Sequence, residues 1–210
     1  FVAGYRDELR DYSTALYQID FVNAKALHAL DEEACLPQLL DKPHVHLIKA
    51  INPVLREFNK QKGKGVVPLD LRLDTHNRIL VISGPNAGGK SITLKTVGLL
   101  QLMLQSGLLV TVHPDSTMGW FNGLMADIGD SQSIENELST YSSKLTKMNY
   151  FLNAAYNKTL VLIDEFGSGS DPDLGSSMAQ IFLKELNNSK TYGVMTTHYN
   201  SIKALAGELP

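Results

Sequence analysis

Between two apolar stretches the chain carries Gly84-Pro85-Asn86-Ala87-Gly88-Gly89-Lys90-Ser91, and this octapeptide constrains the fold more than any other segment. The continuous run Ile79 to Ile82 before it reads as a strand buried on both faces, as in a parallel sheet. The residues from Lys90 to about Gln105 after it read as a helix. A strand, a glycine-rich turn and a helix in that order match the phosphate-binding loop in pattern and context. Glycines let the backbone approach phosphate closely, and successive N–H groups with the helix N-terminus supply positive potential. Lys90 is placed to reach β- and γ-phosphates, and the Ser91 hydroxyl to ligate Mg²⁺. The candidate nucleotide-binding segment runs through Ile92.

Two further strand ends bear chemistry. Leu160-Val161-Leu162-Ile163 runs directly into Asp164-Glu165. At the carboxyl edge of the same sheet Asp164 can hold Mg²⁺ and Glu165 can polarise an attacking water. Alternation along a strand sends adjacent side chains to opposite faces, so the two carboxylates are expected to have different roles. The run Tyr192 to Thr196 reads as a third buried strand, followed by Thr197-His198. His198 there can donate a hydrogen bond to a γ-phosphate or to the lytic water. A helix is predicted from Ser139 to about Tyr156 and another from Leu174 to Leu186. Ser139 or Thr140 serves either as an N-cap, the reading local physics favours, or as an anion-binding helix start. Val67, Leu69, Leu71 and Leu73 alternate with polar residues as one more, half-buried strand, and Asp74-Thr75-His76-Asn77 is turn chemistry. The expected architecture is α/β, with ligands outside the carboxyl ends of the strands.

Composition narrows the class. Across 210 residues, 43% are hydrophobic and 20% charged, which excludes a disordered chain. A net charge of -3 gives no basic blanket for nucleic acid. The single cysteine, Cys35, can form neither an intrachain disulfide nor a Cys-cluster zinc site, so a reducing, cytoplasmic setting is expected. The most apolar stretch, Val97 to Val110, is too short and too polar to span a bilayer, so no membrane partner is expected. Leu9, Tyr12, Leu16, Ile19, Asn23, Ala26 and Leu30 fall at three- and four-residue spacings, which makes the first thirty residues one helix. That spacing suits the seam of a coiled coil or helical hairpin, or equally a core-facing amphipathic helix. Asp41-Lys42-Pro43 then breaks the pattern. The expected division is a helix and linker over 1–42 and an α/β domain over 43–210. A chain that opens on Phe inside a helical pattern is expected to be cut from something larger.

With these motifs the sequence resembles the MutS family of DNA-repair ATPases, relatives of ABC-type ATPases, from about Val66 to Tyr199. The resemblance rests on Gly84 to Ser91, Asp127-Ile128-Gly129-Asp130 with Gln132-Ser133-Ile134, Leu138-Ser139-Thr140, Asp164-Glu165 and Thr196-Thr197-His198-Tyr199. Val67 to Leu71, Thr93 to Leu100 and Ser170-Asp171-Pro172 are similar to the second bacterial paralogue group. Ala87 and Ser168 stand where the mismatch-binding founder usually carries Met and Arg.

The resemblance implies an ABC-like P-loop NTPase fold preceded by the end of a long lever helix, with ATP/ADP and Mg²⁺ as cofactors. It implies a homodimer through paired ATPase domains, in which Ser139, with Thr140, reaches the γ-phosphate of the partner's nucleotide. It also implies that Asn86 shapes the phosphate site and that His198 senses the γ-phosphate. Asp127 to Gln132 would lie near metal and nucleotide. Mismatched or branched DNA would be held by regions mostly outside this chain, with a ribosome as the other partner the resemblance suggests. The family's further strands and dimerisation segment would continue past Pro210, and a nuclease-like domain can follow in the second paralogue group. An ABC- or chromosome-maintenance-type head is the alternative, but Leu138-Ser139-Thr140 lacks that class's glycines. A nucleotide-dependent interaction switch with little turnover is the other, and the intact Asp164-Glu165 pair argues against it.

Overall fold

A computed structural model describes residues 2–84, 88–129, 137–167 and 172–209, with side chains described over 4–84, 88–129, 143–167 and 174–209. After a 3₁₀ turn at Val2–Tyr5, helix α1 spans Arg6–Asp31, as the heptad spacing predicts. The seam residues Leu9, Tyr12, Leu16, Ile19 and Leu30 are exposed, and Ala29 is buried near the helix's C-terminal end.

The strands form two sheets. The first is mixed, in the order β1-β5-β2-β3, from Gln38–Leu40, Thr117–Gly119, Val45–Ala50 and Leu69–Leu73. In it β1 runs parallel to β5, and β2 is antiparallel to both β5 and β3. The second is parallel throughout, in the order β4-β8-β7-β6, from Ile79–Ser83, Tyr192–Thr197, Thr159–Ile163 and Gly123–Asp127. The helices are α2 (Pro53–Lys60), α3 (Lys90–Gln105), α4 (Glu137–Ala154), α5 (Pro172–Asn188) and α6 (Asn200–Glu208). The α/β expectation therefore holds. The mixed sheet is an addition to it, and residues 38–40, expected to be linker, are one of its strands. The strand expected from Val67 starts at Leu69, and Val67 is 90% exposed.

Alternation within β7 separates two cores. Leu160 and Leu162 join Leu94, Val97 and Leu100 of α3 and the inner residues Val45, Leu47, Leu71, Leu73 and Met118 of the mixed sheet. Val161 and Ile163 join Phe151 of α4, Phe182, Leu183 and Leu186 of α5, and Ile202 of α6. The parallel sheet is thus packed on both faces, with the central β7 and β8 buried throughout. Strand β4, expected to be buried, instead lies at the sheet edge and is half-buried along its length. Gly98 lets α3 lie against the sheet, because a Cβ there would stand 2.5 Å from Leu162 Cδ1. After Ser106, Gly107 at φ 73° ends α3, with its N–H donating to the Leu104 carbonyl and that of Leu108 donating to Met103. Lys25 of α1 donates to the Gly107 carbonyl at 3.2 Å, placing a cation at the negative end of α3. Asn52 caps α2 through the Leu55 N–H at 3.0 Å and donates to Thr96 of α3 at 3.2 Å. Among the described residues no helix is long and apolar enough to cross a membrane.

The predicted turn between β3 and β4 is built on Asp74. Its Oδ1 accepts the N–H groups of His76 (2.8 Å) and Asn77 (2.9 Å), and its Oδ2 accepts Arg72 Nε (2.7 Å). The Asn77 N–H foremost, then the His76 N–H and the Arg72 guanidinium, hold its carboxyl at about 2 against the opposing effect of burial. A depressed folded-state value stabilises the fold above the ordinary carboxyl value of 3.8, and this contribution fades as pH falls through about 2. Asp74→Asn is therefore expected to lower the urea midpoint at pH 7, with the gap to the parent closing as the pH approaches 2. A gap of the same size at both pH values would refute the linkage.

Candidate nucleotide site

The parallel register fixes which loops can meet. Ser83 pairs with Thr197, Ile163 with Met195, and Asp127 with Ile163, so β4, β8, β7 and β6 all end at one edge. Gly84, His198 and Asp164 are the next residues out from three of these ends. This is the carboxyl edge, where ligands of open α/β sheets bind.

At the first strand end, Gly84 has φ 146° and Gly89 φ 79°, both in the region that favours glycine. Gly89 is the N-cap of α3, and its carbonyl accepts the Thr93 N–H and hydroxyl, each at 3.0 Å. Lys90 opens α3 and is only 4% exposed, with Nζ donating to the Gly84 carbonyl across the loop. Gly88 is exposed, while Ser91 and Ile92 are half-buried in the first turn of α3. Pro85, Asn86 and Ala87 lie outside the described residues.

At the second, β7 ends at Ile163, so Asp164 and Glu165 lie beyond the strand. Glu165 has φ 49°, left-handed backbone that costs a non-glycine residue about 1–3 kcal/mol. The alternation argument for opposite faces therefore does not apply to them, and both residues line one small cleft with Asp127, Lys144, Lys147 and Gly167. The Asp164 N–H donates to the Asp127 carbonyl at 2.9 Å, and Asp164 Oδ1 accepts the Thr196 hydroxyl at 2.5 Å. The Glu165 N–H donates to the same hydroxyl oxygen at 2.8 Å. Gly167, at φ 85°, lies under the Tyr199 ring, whose hydroxyl donates to the Gly167 carbonyl at 3.2 Å. A Cβ at Gly167 would stand 2.8 Å from that ring.

His198 follows β8 directly and is exposed. Asp127 ends β6, and Lys147 of α4 meets its carboxylate at 2.5 Å. Ser139 and Thr140 stand in the first turn of α4, which begins at Glu137, so neither is at the cap position; their side chains lie outside the described residues. Most of Gly129 to Ser133 and the segment 168–171 also lie outside them.

Sequence reasoning missed Lys147 and the two-way role of Thr196. The only signal for Thr196 was its place two residues before His198. Lys147 gave none, since a lysine at that distance in sequence does not reveal its partner.

The site and fold together define an α/β domain with a candidate phosphate site at the edge of a parallel sheet. A family model described as MutS domain V matches residues 80–210. The chain is 42% identical over 209 residues to Endonuclease MutS2 of Lactiplantibacillus plantarum, covering 100% of this chain and 26% of that protein. It is 40% identical over 200 residues to Endonuclease MutS2 of Clostridium novyi, covering 95% and 25%. The same-named protein of Streptococcus thermophilus is 40% identical over 205 residues, covering 94% and 25%. The chain belongs to the MutS family, and spans about a quarter of the length of these relatives.

Proposed function

We propose that the chain is the ATP-binding and ATP-hydrolysing domain of a MutS-like protein, in which nucleotide-driven pairing of two such domains is coupled to DNA binding. The observation that carries this reading is the buried Lys90 ammonium, which crosses the glycine loop to a carbonyl at the edge where Asp164 and Glu165 emerge. A buried ammonium held against an oxygen acceptor is a fitting partner for phosphate oxygen.

The donor set also fits Mg²⁺. Asp164 and the Ser91 hydroxyl are hard oxygen donors, and among the described residues no cluster of three or more His, Cys, Asp or Glu forms an all-protein cage. Mg²⁺ with nucleotide is commonly held by one or two carboxylates plus the phosphates themselves. Bound there, the ion would neutralise charge on the transferred phosphoryl group. The chain's own residues do the rest. Gly84 to Gly89 wrap the phosphates, Lys90 pairs with them, Glu165 accepts a proton from the attacking water, and His198 donates to the γ-phosphate. Ser139 of a second copy completes the site.

A shared site makes turnover depend on association. ATP turnover per chain in Mg²⁺ is expected to rise with protein concentration and to vanish with chelator. Turnover per chain that stays constant across a hundredfold dilution would refute the shared site, and no turnover at any concentration would favour a switch without hydrolysis.

A further inference from the structure

Thr196 lies on β8, the strand between the one that feeds the glycine loop and the one that feeds the carboxylates. It pairs with Ile82 on one side and is fully buried. On the other side it bonds three successive residues. Its hydroxyl donates to Asp164 Oδ1 (2.5 Å) and accepts the Glu165 N–H (2.8 Å), while its carbonyl accepts the Phe166 N–H (2.7 Å). The regular β7–β8 register stops at Ile163 and Met195, so beyond it the hydroxyl takes the place of a ladder hydrogen bond. A hydroxyl has one proton to donate and lone pairs to accept, and here both capacities are used on adjacent residues. Glu165 sits in left-handed backbone at φ 49°, a conformation that persists only where its surroundings hold it.

We propose that Thr196 is a positioning residue of the nucleotide site, whose hydroxyl fixes the Asp164 carboxylate and the Glu165 backbone relative to each other. This rests on the reading of Asp164 as metal ligand and Glu165 as base. Through one oxygen, the carboxylate that holds Mg²⁺ and the backbone that carries the Glu165 side chain are tied together, next to the strand that leads into the phosphate loop. With its hydroxyl engaged by Asp164 and the Glu165 N–H, Thr196 acts through these two partners.

Three variants in the full chain test this. Thr196→Ser keeps donor and acceptor, and its kcat is expected within about threefold of the parent. Thr196→Val keeps shape but leaves the Glu165 N–H unpaired and Asp164 without its donor. Its kcat is expected to fall about 10- to 100-fold with KM for ATP little changed. The Mg²⁺ concentration for half-maximal binding of a fluorescent ADP analogue should rise several-fold, a readout that needs no turnover. Parental kcat and Mg²⁺ midpoint in a folded Thr196→Val, or equal impairment of the serine variant, would overturn the inference. If the valine variant does not fold, Thr196→Cys replaces it, with a weaker donor of similar size. An intermediate Mg²⁺ midpoint supports the inference, and one equal to that of Thr196→Ser overturns it. Glu165→Gln, measured in parallel, separates the two claims. Its full turnover would remove Glu165 as the base, the reading on which this inference rests, whereas its loss beside a normal Thr196→Val sinks only the role of Thr196.

Discussion

Glu165→Gln is expected to bind ATP as the parent does and to hydrolyse it about 10²–10³-fold more slowly, the loss typical when one preorganised electrostatic group is removed. The substitution is nearly isosteric. The backbone at φ 49° asks the same of Gln as of Glu, and the Thr196 hydroxyl bonds the main-chain N–H, which the exchange leaves in place. Only the carboxylate proposed to accept the proton disappears. If two domains close over ATP and reopen after hydrolysis, blocking the chemistry traps the closed form, so the variant should run as a stable pair by light scattering in ATP and as the parent does in ADP. Turnover at the parent rate would remove Glu165 from the chemistry.

The sequence made the parallel-sheet half of the fold legible because its information is local. The run Ile79 to Ile82, the glycine loop and α3 are contiguous, and α3 spans the expected Lys90–Gln105. Strands β7 and β8 are buried along their whole length, so their apolar runs are unbroken. The mixed sheet is different. Its β1 and β5 are three residues each and pair Gln38 with Thr117, while β2 carries His46 and Lys49 among its apolar residues. Nothing within a ten-residue window announces such a pairing, since its stabilisation comes from partners far along the chain.

The same distinction explains the site. Residue types were readable, but their orientation was not. Asp164 and Glu165 follow four apolar residues, yet the left-handed turn at Glu165 depends on contacts to β8, thirty-one residues further on. Alternation therefore failed at the point where the chain stops being a strand. Likewise the start of α4 at Glu137 moves Ser139 from cap to first turn, a two-residue shift that local propensity does not resolve.

Lys90→Ala should give the opposite phenotype to Glu165→Gln, namely a stable fold that no longer holds nucleotide. Keeping an ammonium buried at 4% exposure is costly unless it is paired, and here its Nζ donates to the Gly84 carbonyl. Such an arrangement makes sense as preorganisation for an anion rather than as a source of stability. Alanine at the first position of α3 is the best helix former and disturbs neither Gly89 at the cap nor the Thr93 bonds to its carbonyl. The melting temperature is therefore expected to stay near or above that of the parent. If Lys90 makes the two proposed charge-assisted contacts, to β- and γ-phosphate, at about 1.5–3 kcal/mol each, ATP affinity should fall by about 10²–10⁴-fold. Titration with a fluorescent ATP analogue beside a melting curve separates the two effects. Parental affinity in the folded variant would mean that the glycine loop holds no phosphate, and the roles given to Asp164, Glu165 and Thr196 would lose their substrate.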